Sequence, residues 1–126
     1  MTVVGLDHVQ LAAPPGCEEA ARLFYGATVG LTELAKPQSL QARGGVWFKL
    51  GRQELHIGVE KHFSAAHKAH PALRVASTDG LDALARRLTD SGAEVAWDDA
   101  LPGIRRFYTQ DPWRNRVELL AHMSQP

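Results

Sequence analysis

Cysteine is almost missing from this chain of 126 residues. Cys17 stands alone, so no intramolecular disulfide and no thiolate zinc cluster can form, and a reducing, cytoplasmic setting is the expected one. An excess of either charge is missing too, with fourteen basic residues against fourteen acidic ones. That balance argues against a non-specific nucleic-acid binder, whose footprint is a basic surplus. No stretch approaches the roughly 18 consecutive apolar residues of a membrane-spanning helix, and the opening MTVVGLDHVQ has no basic region ahead of an apolar one. Neither a membrane segment nor a signal peptide is therefore expected. What is present is ordinary globular composition, 44% hydrophobic and 22% charged, which excludes wholesale disorder. One domain of this size buries roughly 65% of its unfolded surface.

Val3 to Ala12 is a mostly apolar run stopped by Pro14-Pro15-Gly16, the pattern of a strand and a turn. Cys17 to Val29 reads as a helix with Glu18 and Glu19 in its first turn, where the helix dipole favours anions. Leu31 to Ala35, Val46 to Leu50 and Gln53 to Val59 read as strands, the last two joined across Gly51-Arg52 as a hairpin. After a connector from Glu60 to Ala69 the order returns. Pro71 to Ala76 is a strand, and Ser77-Thr78-Asp79 is a capping cluster. Leu81, Leu84, Ala85 and Leu88 then share one helix face, and Ser91-Gly92 closes that helix. Glu94 to Trp97, Arg105 to Thr109 and Arg116 to Ala121 complete the second set of strands.

The chain thus reads as βαβββ twice. A repeat offset of 62 residues relates Leu11 to Leu73, Gly30 to Gly92, His8 to His70 and His56 to Glu118. The expected fold is α+β: one domain over residues 1–126, with module one about 1–60 and module two about 70–123, forming a curled mixed sheet with helices outside.

Strand alternation separates faces. Val9 and Leu11 oppose His8 and Gln10; Leu55 and Ile57 oppose Glu54 and His56. Leu73 and Val75 oppose Arg74, with His70 continuing that side, and Val117 and Leu119 oppose Glu118. Four times an apolar face is backed by one candidate ligand. Three imidazoles and one carboxylate suit a divalent transition metal (iron, nickel, zinc, cobalt or manganese) better than calcium or magnesium, which take all-oxygen cages. Four protein ligands on an octahedral ion leave two positions for water or substrate, as a catalytic site requires.

The doubled order, together with LDHVQLA, LFYGATVGL, QELHIGV, HPALRV and FYTQDPWRNRVELL, resembles the vicinal oxygen chelate superfamily. This group includes glyoxalase I, extradiol dioxygenases, fosfomycin-resistance thiol transferases and bleomycin-resistance proteins. The resemblance covers nearly the whole chain. It implies a half-barrel holding a metal, often completed in a homodimer, with ligands on the first and fourth strands of each module: His8, His56, His70 and Glu118. It implies no nucleotide cofactor and a small oxygenated substrate bound through adjacent oxygens. The reaction would be of lyase or isomerase type, with Glu118 as candidate catalytic base. The alternatives are an iron(II) dioxygenase using His8, His70 and Glu118, and a metal-free sequestering protein. Two positions depart from the pattern. His56 stands where glyoxalase I-type proteins usually have glutamate, and Arg114 replaces the glycine of an Asp-Pro-x-Gly-Asn loop at Asp111 to Asn115.

Around these, Glu54 shares the face of His56 and is a candidate to orient it. Arg74 is a candidate anchor for an anionic substrate group, while Arg43, Lys49, Arg105 and Arg106 read as solvated charges. Trp47 is a candidate substrate contact or a core residue, and Tyr108 is open in the same way. Phe24-Tyr25 reads as helix packing. His62, His67 and His122 receive no role, and Cys17 has no activating neighbour.

Overall fold

The computed structural model describes residues 1–123. The chain divides into two compact units, Met1–Ser64 and a second beginning at Ala65. The first holds β1 (His8–Ala13), a short helix α1 (Glu18–Ala21) running on into a π-helical segment (Arg22–Thr28), β2 (Thr32–Leu34), α2 (Gln38–Gln41), β3 (Val46–Leu50) and β4 (Gln53–Val59). The second holds β5 (Ala72–Arg74), α3 (Thr78–Asp90), β6 (Ala96–Asp98), β7 (Ile104–Gln110) and β8 (Arg116–His122). Each unit forms one four-stranded mixed sheet, ordered β1-β4-β3-β2 and β5-β8-β7-β6. The α+β class and the doubled strand–helix–three-strand order are therefore as the sequence indicated.

The repeat extends to register. β1 runs parallel to β4 with His8 opposite Glu54, and β5 runs parallel to β8 with Ala72 opposite Glu118, a separation of 46 residues both times. A parallel pair needs a long crossover, and each module uses its helix and two intervening strands to supply it.

Local differences from the sequence reading have local causes. β1 begins at His8 rather than Val3, because its partner β4 begins at Gln53 and offers no further ladder. Val3, Val4 and Leu6 are left exposed. The first helix changes winding after Ala21: Val29 donates to Phe24 O and Leu31 to Tyr25 O, and the adjacent Phe24 and Tyr25 are both buried. Wider π-type turns are usually single-turn insertions into α-helices; this one turns two consecutive aromatic rings into the core, where Tyr25 meets Phe48 at 5.9 Å. The one-turn α2 after Pro37 was not foreseen. His122, read as following the last strand, is its final residue.

α3 follows its periodicity. The Ser77 hydroxyl accepts from Gly80 N at 3.0 Å as N-cap. Leu81, Leu84, Ala85 and Leu88 are buried, and each leucine contributes roughly 1.5–3 kcal/mol. In the first unit a polar contact adds to the buried rings of Phe24 and Tyr25. Gly45, at φ +88°, passes so close to Ile57 that a β-carbon would lie 2.2 Å from its carbonyl oxygen. Gly45 N donates to Glu18 Oε2 at 2.6 Å, tying the start of β3 to α1.

The Asp111 to Asn115 loop shows what the missing glycine costs. Arg114 has φ +71°, the one non-glycine residue with positive φ among those described. The loop is held there by Asp111, whose Oδ1 accepts from Trp113 N (3.0 Å) and Asn115 N (2.8 Å) and whose Oδ2 accepts from Asn115 Nδ2 (2.8 Å). Asp111 and Asn115 are both buried.

Arg114→Gly is expected to stabilise the protein by about 0.5–1 kcal/mol, because removing the left-handed strain outweighs the added chain entropy. The check is a higher urea midpoint at unchanged m-value, and a lower midpoint would show that Arg114 makes compensating contacts. The hydrogen bond from Gly45 N, with smaller help from the Glu18 backbone, the Cys17 thiol and Arg22, lowers the Glu18 carboxyl below the usual glutamate range despite an opposing contribution from burial. A carboxyl depressed on folding stabilises above its unfolded value, about 4.3, and loses that contribution as pH falls through the lowered native one. The stability gap between the native protein and Glu18→Gln should accordingly be widest near neutrality and shrink below about pH 4.3. Urea titrations at stepped pH measure it, and a pH-independent gap would contradict the assignment.

Candidate functional site

Each unit gathers one half of the predicted ligand set at its parallel strand pair. In the first unit His8 lies on β1 and His56 on β4. Trp47, directly opposite His56 in the β3–β4 register, stacks on it with ring centroids 3.9 Å apart and planes within 1°. His8 stacks on His56 as well, at 4.4 Å and 19°. His56 is thus 5% exposed, held by flat contacts of the kind aromatic rings favour when offset. Trp47, left open between substrate contact and core, is a neighbour of the candidate site.

A histidine's free nitrogen is set by the bond its other nitrogen makes. His56 Nε2 is 2.8 Å from Glu54 Oε1, an acceptor, so Nε2–H donates and Nδ1 carries the lone pair. Glu54, a candidate to orient His56, is thus in direct contact with it. His8 Nδ1 is 2.8 Å from Asp7 Oδ1 and donates to it, freeing Nε2. Asp7 was missed, being the residue immediately before a candidate ligand and outside the strand pattern.

In the second unit His70 lies two residues before β5 rather than within it. Its Nδ1 is 2.8 Å from Lys68 O, so Nδ1–H donates there and Nε2 is the nitrogen left to a second partner. That nitrogen lies 3.1 Å from Glu118 Oε1 on β8. Two lone pairs facing each other at that distance require a positive charge between them, a proton on Nε2 or a bound cation. Two ligands at right angles, each about 2.1 Å from an ion, sit about 3.0 Å apart. The donor chemistry and this spacing therefore fit a divalent metal. Tyr108, opposite Glu118 in register, meets the His70 ring edge-on at 5.3 Å. Among the described residues no group of three or more potential ligands is clustered; the candidates occur as two pairs.

Arg106 is the residue that sequence reasoning undervalued. It was read as a solvated charge, yet only 18% of its side chain is exposed. Its Nη1 donates to Glu118 Oε2 at 3.3 Å and its Nη2 to Asp98 Oδ1 at 3.5 Å. The missed signal was alternation on β7, which places Arg106 and Tyr108 on one face; which face needed the β7–β8 register. Arg74, by contrast, is exposed on β5. Arg105 pairs with Asp82 at 2.9 Å and lies over Trp97 at 4.0 Å. Cys17 is buried, and burial followed by the neighbouring Glu18 pushes its thiol up, away from a reactive thiolate.

The paired βαβββ sheets define the class, and comparison with known proteins narrows it. No protein-family model and no curated protein matches the chain. Among solved structures, a glyoxalase family protein from Bacillus anthracis is 49% identical, with 97% of this chain and 98% of that one covered and a TM-score of 0.90. The chain belongs to the glyoxalase family, within the vicinal oxygen chelate superfamily. The fold is shared more distantly with a lactoylglutathione lyase from Agrobacterium tumefaciens (22% identity, 96% of each chain, TM-score 0.73). It is shared likewise with the fosfomycin resistance protein FosX from Listeria monocytogenes (18% identity, 97% and 96% covered, TM-score 0.74). No described helix is long and apolar enough to cross a membrane.

Trp47→Leu keeps an apolar side chain but removes the ring face from His56. The expected loss is about 1–2 kcal/mol, from stacking and buried area together. An unchanged urea midpoint would show that the stack holds His56 without contributing to stability.

Proposed function

We propose that this protein is a metal-dependent enzyme acting on a small oxygenated molecule, with His8, His56, His70 and Glu118 as donors to a divalent transition metal (iron, nickel, zinc, cobalt or manganese). The observation that carries the reading is His70 Nε2 facing Glu118 Oε1 at 3.1 Å, the spacing of two ligands on one ion. Family membership and the three oxygen-anchored imidazoles support it. When bound, the ion would supply Lewis-acid stabilisation to negative charge developing on adjacent substrate oxygens, in a lyase- or isomerase-type reaction.

The chain's own residues supply the rest. Asp7, Glu54 and the Lys68 carbonyl fix which nitrogen each histidine presents. Trp47, stacked on His56, is the candidate aromatic contact for a substrate in the first unit, and Tyr108, opposite Glu118, is the second unit's. Arg74, exposed on β5, is the anchor for an anionic group. Glu118 is the candidate proton acceptor, acting once it detaches or shifts from the ion. The protein is proposed to act as a cytoplasmic homodimer.

One observation favours a second reading. His56 has its Nε2 engaged by Glu54, whereas His8 and His70 both present Nε2. His8, His70 and Glu118 alone would supply the two-histidine, one-carboxylate set of iron(II) oxygenases, leaving His56, stacked on His8, as a proton-transfer group.

Elemental mass spectrometry of tag-free protein purified without chelator tests both readings. Near-stoichiometric transition metal, lost in Glu118→Ala, is expected. Loss in His56→Ala as well supports four ligands, and retention there with iron supports the triad. Protein that holds no metal, fresh or after reconstitution with iron(II), nickel or zinc near neutral pH, would overturn both in favour of metal-free sequestration.

A further inference from the structure

Resting on that metal reading, we propose that Arg106 is the positioning residue of Glu118, fixing the carboxylate so that a single oxygen, Oε1, is presented beside His70 Nε2. β7 lies between β8, which carries Glu118, and β6, which carries Asp98. From that central strand the guanidinium reaches both neighbours, with Nη1 3.3 Å from Glu118 Oε2 and Nη2 3.5 Å from Asp98 Oδ1. Its plane is thereby set from two sides, and the Tyr108 ring lies 5.6 Å from it. Arg106 Nε is buried and has no hydrogen-bond partner among the described residues. A buried arginine with one donor unsatisfied is a poor device for stability. It is a sound one for orientation, because a fork held at both ends limits where Glu118 can turn.

The two carboxylate oxygens are thereby divided. Oε2 is engaged by Arg106, and Oε1 faces the imidazole. Without the guanidinium, a glutamate only 4% exposed would be free to rotate so that both oxygens or neither faced His70. Lysine cannot replace the fork, since one ammonium does not span two carboxylates on neighbouring strands in a fixed plane. Arg116 also touches Tyr108, at 4.0 Å from its ring, but Arg106 is the guanidinium in contact with Glu118 among the described residues.

The test is titration of metal-free protein with cobalt(II) chloride, followed by calorimetry and by the visible absorption of the bound ion, in the native protein, Arg106→Leu, Arg106→Lys and Arg105→Leu. Removing partners that orient metal ligands weakens affinity about 10–100-fold. Arg106→Leu is expected to fall in that range with shifted visible bands, and Arg106→Lys to lose about three-fold or more. Arg105→Leu, which breaks the Asp82 pair on the neighbouring residue, is expected to keep the native affinity and spectrum. A lower melting temperature in Arg106→Leu with cobalt affinity within two-fold of native would show a structural role and overturn the proposal. If Arg106→Leu does not fold, native affinity and spectrum in Arg106→Lys overturn it equally. Native protein that binds no cobalt(II) overturns the metal reading itself, and the positioning role falls with it.

Discussion

Parallel pairing of the first and last strands of each module is the constraint on which the rest depends. Two parallel neighbours cannot be joined by a tight turn, so the chain between them must leave the sheet, return and enter on the far side. The helix, the short edge strand and the hairpin strand of each module are that excursion. Because the pairing keeps the same 46-residue separation in both sheets, chemically useful positions recur together. His8 lies two residues from the partner of His56, and His70 two residues from the partner of Glu118. The candidate pairs thus arise from the register of the ladders and need no special loop.

Such a face is costly to build, and the structure shows how the cost is met. Burying an ionised carboxylate or an imidazole without partners is unfavourable by several kcal/mol. Glu118 receives His70 on one oxygen and Arg106 on the other, and Arg106 is itself shared with Asp98. His56 is stacked against two rings and bonded to Glu54. These interactions restrict motion as well as offsetting desolvation. In the proposed metal site, orientation of that kind would hold the same atoms ready as ligands once a cation replaced the proton that the His70–Glu118 contact otherwise requires.

The Asp111 to Asn115 loop handles a local conflict in the same manner. An arginine in left-handed geometry is strained, and the buried Asp111–Asn115 pair, with two backbone donors on Asp111 Oδ1, keeps the loop closed despite it. The loop joins β7 to β8 and so sets the register that brings Tyr108 opposite Glu118 and Arg106 opposite Leu120. Its hydrogen bonds therefore bear on the site although no atom of the loop belongs to it.

Much of this was legible before any coordinates. Alternation separated apolar from polar faces on β1, β4, β5 and β8, and leucine spacing placed α3. The 62-residue offset paired His8 with His70 and His56 with Glu118. Those features are local or periodic, so one-dimensional order carries them. Three others depended on contacts between distant segments. The π-helical winding at Phe24-Tyr25 answers to the sheet that receives the rings. The length of β1 answers to where β4 begins. The burial of Arg106, read from sequence as one solvated charge among several, follows from carboxylates 8 and 12 residues away on the two flanking strands. The sequence by itself determined which side chains are candidate ligands and, for His8, His56 and Glu118, which strands carry them. Only the tertiary structure decided which partner each histidine nitrogen faces and which cation holds the carboxylate, because hydrogen-bond partners across a sheet are set by register.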